Sequence, residues 1–283
     1  MLSGGDSSPG SKNFGAKSPV VQGMIDVAAY IGPYPFRHLP HPDPDVLARV
    51  LEREGLSGAW VGYLPSAWQR DPAPGNAALF AALAPCPTLR AAPVVRPDWP
   101  DWERTLRDVV ALGAAAVRAY PMHWGMGPHD PSMRALALAC GAAGIPLLLT
   151  VRFEDLRQRS LLDVAGDLTA AHVRALARAH ASVRIVVTGA GRDLLEETHW
   201  GLTPAEQERV HWDFAWIWGP PDDHFAHLVR TVGAARFVYG THWPLRLTQN
   251  SRANLELLPP DLRTPGISDA SSLAFSSVRK SPT

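Results

Sequence analysis

The sequence has few cysteines and no excess of either charge. Its 283 residues include only two cysteines, Cys86 and Cys140, and neither lies in a C-x-x-C pair or beside a histidine. This pattern argues against a disulfide framework or a thiolate metal site and indicates buried thiols in a reducing compartment. Lysine plus arginine and aspartate plus glutamate each number 27, so the chain has no basic field that would hold a nucleic acid or an anionic membrane.

Long apolar runs are also lacking. No run approaches the roughly 20 residues that a membrane span needs. Residues 1–23 lack the apolar stretch of a signal peptide. We therefore expect a cytoplasmic protein with no nucleic-acid partner and no membrane partner.

The glycine patterns of nucleotide-binding loops are missing as well. No G-x-G-x-x-G and no G-x-x-x-x-G-K-[ST] follows any predicted strand. The closest segment is Gly189-Ala190-Gly191, which is more typical of a tight turn than of a loop that binds phosphate. This absence disfavours an open, doubly wound sheet that binds a dinucleotide.

What is present is enough apolar sequence for one large domain. With 46% hydrophobic and 19% charged residues, a chain of this length can fold without a disulfide or a metal. Residues 1–23 are rich in Ser, Gly, Lys and Pro and are predicted to be a disordered leader. The barrel domain is predicted over residues 24–262. Residues 263–283 are predicted to be an extension, with a short helix over 268–275 before a disordered tail.

Apolar strand segments alternate with helical segments eight times. The predicted strands are residues 24–28, 58–64, 90–95, 115–120, 145–151, 183–188, 210–214 and 237–239. The predicted helices are residues 43–54, 76–84, 99–112, 132–143, 160–180, 192–199, 223–232 and 249–258. The long segment 160–180 is also compatible with two helices broken near Gly166-Asp167. Because most of these strands are apolar on both faces, the pattern predicts an α/β fold, a single-domain (β/α)8 TIM barrel.

The eighth unit presents a histidine at the end of its strand. Residues 236–244 read R-F-V-Y-G-T-H-W-P, an apolar run that Gly240 interrupts and Pro244 ends. Strand alternation predicts that His242 faces the barrel mouth and that Trp243 faces outward. Four tryptophans, Trp124, Trp216, Trp218 and Trp243, lie at or after strand ends, so we expect at least one of them to line a pocket.

Five segments resemble the amidohydrolase superfamily, specifically its amidohydrolase-related (type 2) branch. They are I-D-V-A-A-Y-I-G at 25–32, A-V-R-A-Y-P at 116–121, I-P-L-L-L-T at 145–150, V-R-I-V-V-T-G-A-G at 183–191 and the eighth-strand segment at 236–244. The order and spacing of these segments cover nearly the whole predicted barrel. The resemblance implies the same barrel fold and, as an activity, hydrolysis of a carbonyl compound.

The metal-ligand positions that the resemblance implies are replaced in this chain. Family members hold one or two divalent ions with histidines on four strand positions and an aspartate on the eighth strand. The corresponding residues here are Ala28, Tyr30, Thr150, Gly189 and His242. One imidazole with weak or absent neighbours is not a metal site, so we predict no metal and no other cofactor.

Strand alternation selects the side chains expected at the mouth. The predicted catalytic residues are His242, Asp213 and Asp26. The predicted substrate-binding residues are Arg118, Arg152, Tyr30, Tyr120, His123 and Trp124. A structural alternative has equal weight: Asp26 and Asp213 could simply pair with Arg118 and Arg152, as buried charges commonly do.

Two functions remain open from the sequence. The first is a metal-independent hydrolase that acts on a small carboxylate-bearing lactone, ester or amide, with the arginines binding the carboxylate. The second is a catalytically inactive relative that binds a ligand or a protein partner. A small carbonyl compound is the expected partner, and a homodimer is compatible with the sequence. An open cavity beside His242 or Asp213 would favour the enzyme, and a mouth filled by tyrosine and tryptophan would favour the inactive relative.

Overall fold

A computed structural model describes residues 21–40, 42–262, 270 and 273. Its strands are β1 Ile25–Ile31, β2 Gly58–Tyr63, β3 Leu89–Ala91, β4 Val117–Ala119, β5 Leu147–Thr150, β6 Ile185–Thr188 and β7 Val210–Trp212. Its helices are α1 Pro44–Glu54, α2 Ala73–Leu83, α3 Trp102–Ala111, α4 Pro131–Ala143, α5 Ala170–Ala177, α6 Arg192–Trp200, α7 Pro204–Gln207, α8 His224–Thr231 and α9 Gln249–Glu256. This alternation of strands and helices confirms the predicted single-domain (β/α)8 fold.

The strands pair in parallel in two groups. One sheet has the order β1-β2-β3 and the other has the order β4-β5-β6-β7. Backbone hydrogen bonds bridge both gaps: Arg118 N donates to Pro93 O at 2.8 Å, and Val238 N donates to Trp212 O at 2.9 Å. Val27 N, on β1, donates to Tyr239 O at 2.9 Å. The segment after α8 therefore lies between β7 and β1, where an eighth strand belongs.

That eighth segment forms less regular structure than its sequence predicts. Among residues 237–239 only Phe237 forms a strand bridge, to Trp212. His242 has a positive φ of 60°, and the Trp243-Pro244 peptide bond is cis. The direction of the His242 side chain is thus set by a backbone turn rather than by strand alternation.

The space inside the strands is filled differently at its two ends. An apolar cluster, the lower layer, lies toward the amino ends of the strands and contains Val27, Trp60, Ala92, Ala116, Leu148, Val186 and Val238. An aromatic cluster, the mouth cluster, lies toward the carboxyl ends and includes Tyr30, Tyr34, Leu64, Tyr120, Phe153 and Leu245. Active sites of parallel barrels form at the carboxyl ends of strands, so the mouth cluster lies where a site is expected.

Two boundaries differ from the sequence prediction. The predicted leader reaches too far, because Val21 is fully buried in the outer core and Gly23 N bonds to Gly55 O. The predicted helix over residues 160–180 is reduced to α5, because Leu161, Leu162 and Val164 are exposed and the segment before α5 is irregular. Apolar residues at helical spacing do not produce a stable helix when no surface is present for them to pack against.

The two chain ends fall largely outside the described residues. Residues 1–20 lie outside them, and so does most of the predicted helix over 268–275. Ala270 and Leu273 are described, and both are buried against the lower layer. Within the described ranges, no helix has the length and apolar character needed to cross a membrane.

Candidate functional site

A buried polar network crosses the barrel above the lower layer. Arg118, on β4, donates from Nη1 to Tyr30 Oη at 2.9 Å and from Nη2 to Val27 O at 3.0 Å. Tyr30 Oη lies 3.2 Å from Thr150 Oγ1, which in turn lies 3.2 Å from Thr188 Oγ1. The network therefore joins side chains from β1, β4, β5 and β6.

Local sequence makes room for the Arg118 guanidinium. A Cβ atom added at Gly62, on β2, would lie only 2.8 Å from Arg118 Nε. The guanidinium also lies over the Tyr30 ring, with 4.5 Å between Arg118 Cζ and the ring centroid. Arg118 is 0% exposed, and no carboxylate of the described chain lies within ion-pair distance of it.

Next to this network, His242 forms a fully buried pair with Asp213. His242 Nε2 lies 2.7 Å from Asp213 Oδ2, and both side chains are 0% exposed. The other oxygen, Asp213 Oδ1, accepts the Gly189 N–H at 2.9 Å. The other ring nitrogen, His242 Nδ1, has no hydrogen-bond partner in the part of the chain that the structure describes.

Two glycines allow the His242 and Asp213 side chains to fit. A Cβ at Gly189, which has a φ of 80°, would lie 3.3 Å from His242 Cε1. A Cβ at Gly240 would lie 2.8 Å from Asp213 Cβ and from Asp213 Oδ2. Because glycine has no side chain, these two positions leave the space that the buried His242 and Asp213 side chains occupy.

Asp26 contacts the backbone of the eighth segment. Its carboxylate accepts hydrogen bonds from Thr241 N, Thr241 Oγ1 and Ala28 N. Burial raises the pKa of Asp26, although these hydrogen bonds act in the opposite direction. These contacts connect β1 to residues 240–242. They do not support a catalytic role for Asp26, which stays a prediction.

The ion pairs considered from the sequence are not the ones that form. Arg118 does not pair with Asp26, and Arg152 does not pair with Asp213. Arg152 Nη2 instead lies 2.6 Å from Asp167 Oδ2, and Arg159 binds the other oxygen of Asp167. Asp167 lies in the irregular segment before α5, where the sequence predicted a helix, so its position could not be predicted.

His123 and Trp124 lie at the mouth as predicted, but each has protein partners. His123 Nε2 is 3.6 Å from Asp163 Oδ1, and burial lowers the pKa of His123. The Trp124 ring lies under the Arg96 guanidinium, with 5.5 Å from Arg96 Cζ to the ring centroid. Tyr120 lies beside Arg118, and burial raises the pKa of its hydroxyl.

Aromatic side chains and one ion pair close the mouth above this network. The Phe153 ring centroid lies 5.7 Å from that of Tyr30 and 4.9 Å from that of Trp68. Arg37 Nε lies 2.6 Å from Glu154 Oε1, and Arg37 Nη2 donates to Leu245 O at 3.1 Å. Arg37 thus links the loops that follow β1, β5 and the eighth segment.

An open cavity of about 710 Å³, the outer cavity, lies beside the closed mouth. Arg152, Trp216, Trp218 and Arg246 are among its lining residues, so the expectation that a tryptophan lines a pocket is confirmed. The Trp216 ring lies 6.3 Å from the His242 ring, centroid to centroid. Trp216 therefore lies between the outer cavity and the buried pair.

Sequence reasoning missed several residues of this region, including Arg37, Phe153 and Arg246. Phe153 directly follows the predicted Arg152, and Arg246 follows the W-P of the eighth segment by two residues. Position after a strand end was the available signal. It could not show which of these loop residues turn toward the site.

Comparisons with known proteins identify the fold class. No protein-family model and no curated protein sequence matches the chain. Among solved structures, it is similar to a dihydroxybenzoic acid decarboxylase from Polaromonas with bound manganese, with a TM-score of 0.66, 15% identity and coverage of 89% of this chain and 96% of that one. It is also similar to a candidate 2-pyrone-4,6-dicarboxylic acid hydrolase from Pseudomonas putida, with a TM-score of 0.60, 19% identity and coverage of 89% and 97%.

A third similar structure is a candidate amidohydrolase from Staphylococcus aureus, with a TM-score of 0.63, 11% identity and coverage of 89% of this chain and 99% of that one. At these identities the likeness concerns the fold. The predicted resemblance to amidohydrolase-related barrels is therefore confirmed at the level of the fold.

Among the described residues, the side chains at the strand ends do not form a set of ligands for a divalent metal ion. The implied ligand positions hold Ala28, Tyr30, Thr150, Gly189 and His242. His242 Nε2 is directed at Asp213, and the oxygens of Asp26 accept hydrogen bonds from β1 and the eighth segment. Within residues 21–40, 42–262, 270 and 273, no three His, Cys, Asp or Glu side chains are grouped so as to hold a metal ion.

Proposed function

We propose that the protein is an amidohydrolase-like hydrolase that acts on a small carboxylate-bearing lactone, ester or amide without a bound metal. The observation that carries this proposal is the buried guanidinium of Arg118, which has no carboxylate partner in the described chain. Removing a cation from water is costly unless an anion neutralises it. A carboxylate of the substrate would provide that anion.

The His242 and Asp213 pair supplies a group that can move a proton. When Asp213 is ionised its oxygens only accept, so the proton shared with it belongs to His242 Nε2. The lone pair then lies on Nδ1, the ring nitrogen without a partner. A neutral imidazole held in one tautomer by a carboxylate is suited to act as a general base.

Hydrolysis at this site would proceed in two proton transfers. A water molecule gives a proton to His242 Nδ1 while its oxygen forms a bond to the carbonyl carbon. The carbon's bond to the leaving oxygen or nitrogen then breaks, and the proton on Nδ1 passes to that atom. Tyr30 carries an O–H group that can stabilise the negative charge on the carbonyl oxygen, while Arg118 binds the carboxylate of the substrate.

The substrate must reach this pair from outside. His242, Asp213 and Arg118 are each 0% exposed, so the mouth must open at the Arg37 and Glu154 ion pair or at Trp216. Loop opening around a substrate is common in barrel enzymes. The outer cavity lies on the far side of Trp216 and would be one such route.

The same closure supports a second candidate, a catalytically inactive barrel that binds a ligand. Rings of Tyr30, Tyr34, Trp68, Tyr120 and Phe153 fill the mouth. If the mouth never opens, the buried pair cannot meet a substrate. This candidate predicts binding at the surface without turnover.

A substrate screen separates the two candidates. Carboxylate-bearing lactones, esters and amides would be tested with the wild type and with His242→Gln, which should lose about 100-fold or more in kcat because it removes the general base. His227→Gln is the matched control, since His227 also pairs with a carboxylate, Glu196, but lies on the surface. No turnover of any compound would favour the inactive barrel. Equal turnover by His242→Gln would contradict His242 as the general base.

A further inference from the structure

The outer cavity holds an arginine that the fold does not neutralise. Arg246 lies over Trp216, with 4.1 Å between Arg246 Cζ and the ring centroid. Its Nε has no hydrogen-bond partner, and no carboxylate of the described residues lies within ion-pair distance. Burial lowers the pKa of Arg246, although Asp213 and Asp155 act in the opposite direction.

Other charges around the cavity leave it cationic. Arg152 lies over the same ring at 5.8 Å, and Arg157 also lines the cavity. The acidic lining residue Asp155 already accepts from Arg157 at 2.8 Å. The cavity lining therefore has three guanidinium groups and one carboxylate. Arg157 pairs with that carboxylate and Arg152 pairs with Asp167, so Arg246 is the lining arginine without a carboxylate partner among the described residues.

The lining also includes apolar surface that the described residues leave exposed. Trp218 is 62% exposed and Leu257 is 55% exposed, and both line the cavity. Exposed apolar groups that border a charged concave site are typical of a ligand site. A bare inorganic anion would satisfy the arginines and leave these groups in water.

We infer that the outer cavity is a ligand-binding site for a small molecule that carries an oxyanion on an apolar, ring-sized body. Arg246 binds the oxyanion, and Trp218 and Leu257 contact the body. A planar guanidinium matches a carboxylate or a phosphate group in bidentate fashion, so both anions are compatible with the site. The inference does not depend on the hydrolysis proposed above, because it concerns binding on the outer side of Trp216.

Calorimetric titration of the full-length chain with benzoate, phenyl phosphate and benzyl alcohol tests this inference. We expect at least one of the two anions to bind, and the tighter one identifies the oxyanion. Benzyl alcohol has the ring without the charge and should bind at least about tenfold more weakly, since charge-assisted hydrogen bonds supply that much affinity.

Variants locate the site. Arg246→Gln and Trp218→Ala should each weaken anion binding, the first by about tenfold. The matched control is Arg134→Gln, which removes an exposed arginine of α4 that does not line the outer cavity. Trp218 is exposed, so its variant should fold even if Arg246→Gln does not.

Three outcomes would overturn the inference. They are equal binding of benzyl alcohol, unchanged binding by both cavity variants, and no binding of either anion. The readout is binding rather than turnover, so failure of the hydrolysis proposal would leave this result intact.

Discussion

The two ends of the barrel interior are built from the same strands but have opposite chemistry. Ala116, just before β4, and Leu148, on β5, belong to the apolar lower layer, whereas Arg118, on β4, and Thr150, on β5, belong to the polar network. The lower layer needs only complementary shape to be stable. The upper network contains a buried cation and a buried histidine and carboxylate pair, which cost free energy to desolvate.

This difference separates residues whose burial stabilises the barrel from buried polar residues whose burial costs the barrel free energy. Apolar burial in the lower layer favours folding directly. The groups of the upper network weaken the core unless a ligand or a partner offsets their desolvation. We infer that they are present for a reaction or for binding, and the predictions below test that distinction.

The largest effect on stability is expected in the lower layer. Trp60 is 1% exposed, so Trp60→Ala should lower the free energy of unfolding by about 3–5 kcal/mol through lost burial and a cavity. Trp200→Ala, on the exposed side of α6, is the matched control and should shift it by less than about 0.5 kcal/mol. Guanidinium unfolding curves measure both. Equal shifts would contradict the assignment of Trp60 to the core.

A pH-dependent effect is expected at His211, on β7. Its side chain is buried, and burial lowers its pKa to about 4. Between about pH 6.5 and pH 4 the unfolded chain binds a proton that the folded chain does not, so stability falls as the pH drops through that window. His211→Leu should remove part of this slope, on the order of a few kcal/mol at pH 4. Unfolding curves of the wild type and the variant at pH 7 and pH 4.5 measure this change. The same loss of stability in both proteins would contradict the prediction.

A smaller effect is expected where β1 meets the eighth segment. Thr241→Val removes the hydroxyl that donates to Asp26 and leaves a buried carboxylate with one donor fewer, at a cost of about 1–3 kcal/mol. Thr231→Val removes an exposed hydroxyl that donates to His227 O and is the control. If both variants unfold at the same midpoint, Asp26 does not depend on Thr241.

The smallest effect is expected at the surface. Arg49 and Asp45 form an exposed ion pair of 2.8 Å on α1. Solvent screens such pairs, so Arg49→Ala should leave the unfolding midpoint unchanged within error. A clear loss of stability would show that ion pairs of this barrel matter more than the comparison of its two interior ends assumes.

The strands and most helices could be predicted from the sequence, because apolar residues recur at a different spacing in each and glycine or proline marks their ends. The strands that it predicted match β2, β5 and β6 to within two residues at each end. The predicted helical segment over 160–180 was wrong before α5, because Leu161 and Leu162 have the spacing of a buried face but are exposed. Apolar period alone does not show what a segment packs against.

The site could be predicted only in part, for a related reason. Strand alternation placed Arg118, Tyr30, Asp213 and His242 at the mouth, and the structure brings them together. Their partners depend on loops whose paths the sequence does not specify. The His242 side chain is directed at Asp213 because the His242 backbone has a positive φ. The periodic pattern of the sequence does not indicate such a backbone conformation.

The most direct test of the central claim is the stability of Arg118→Met without ligand. Methionine is apolar and of similar length, so it removes the buried charge while filling most of the space. The variant loses the hydrogen bonds to Val27 O and Tyr30 Oη, at a cost of about 1–3 kcal/mol, and removal of the buried charge offsets this cost. If Arg118 is held for a ligand, the free energy of unfolding should therefore fall by less than about 2 kcal/mol or rise. A fall of several kcal/mol, as expected for Trp60→Ala, would show that Arg118 holds the barrel together and would contradict the claim.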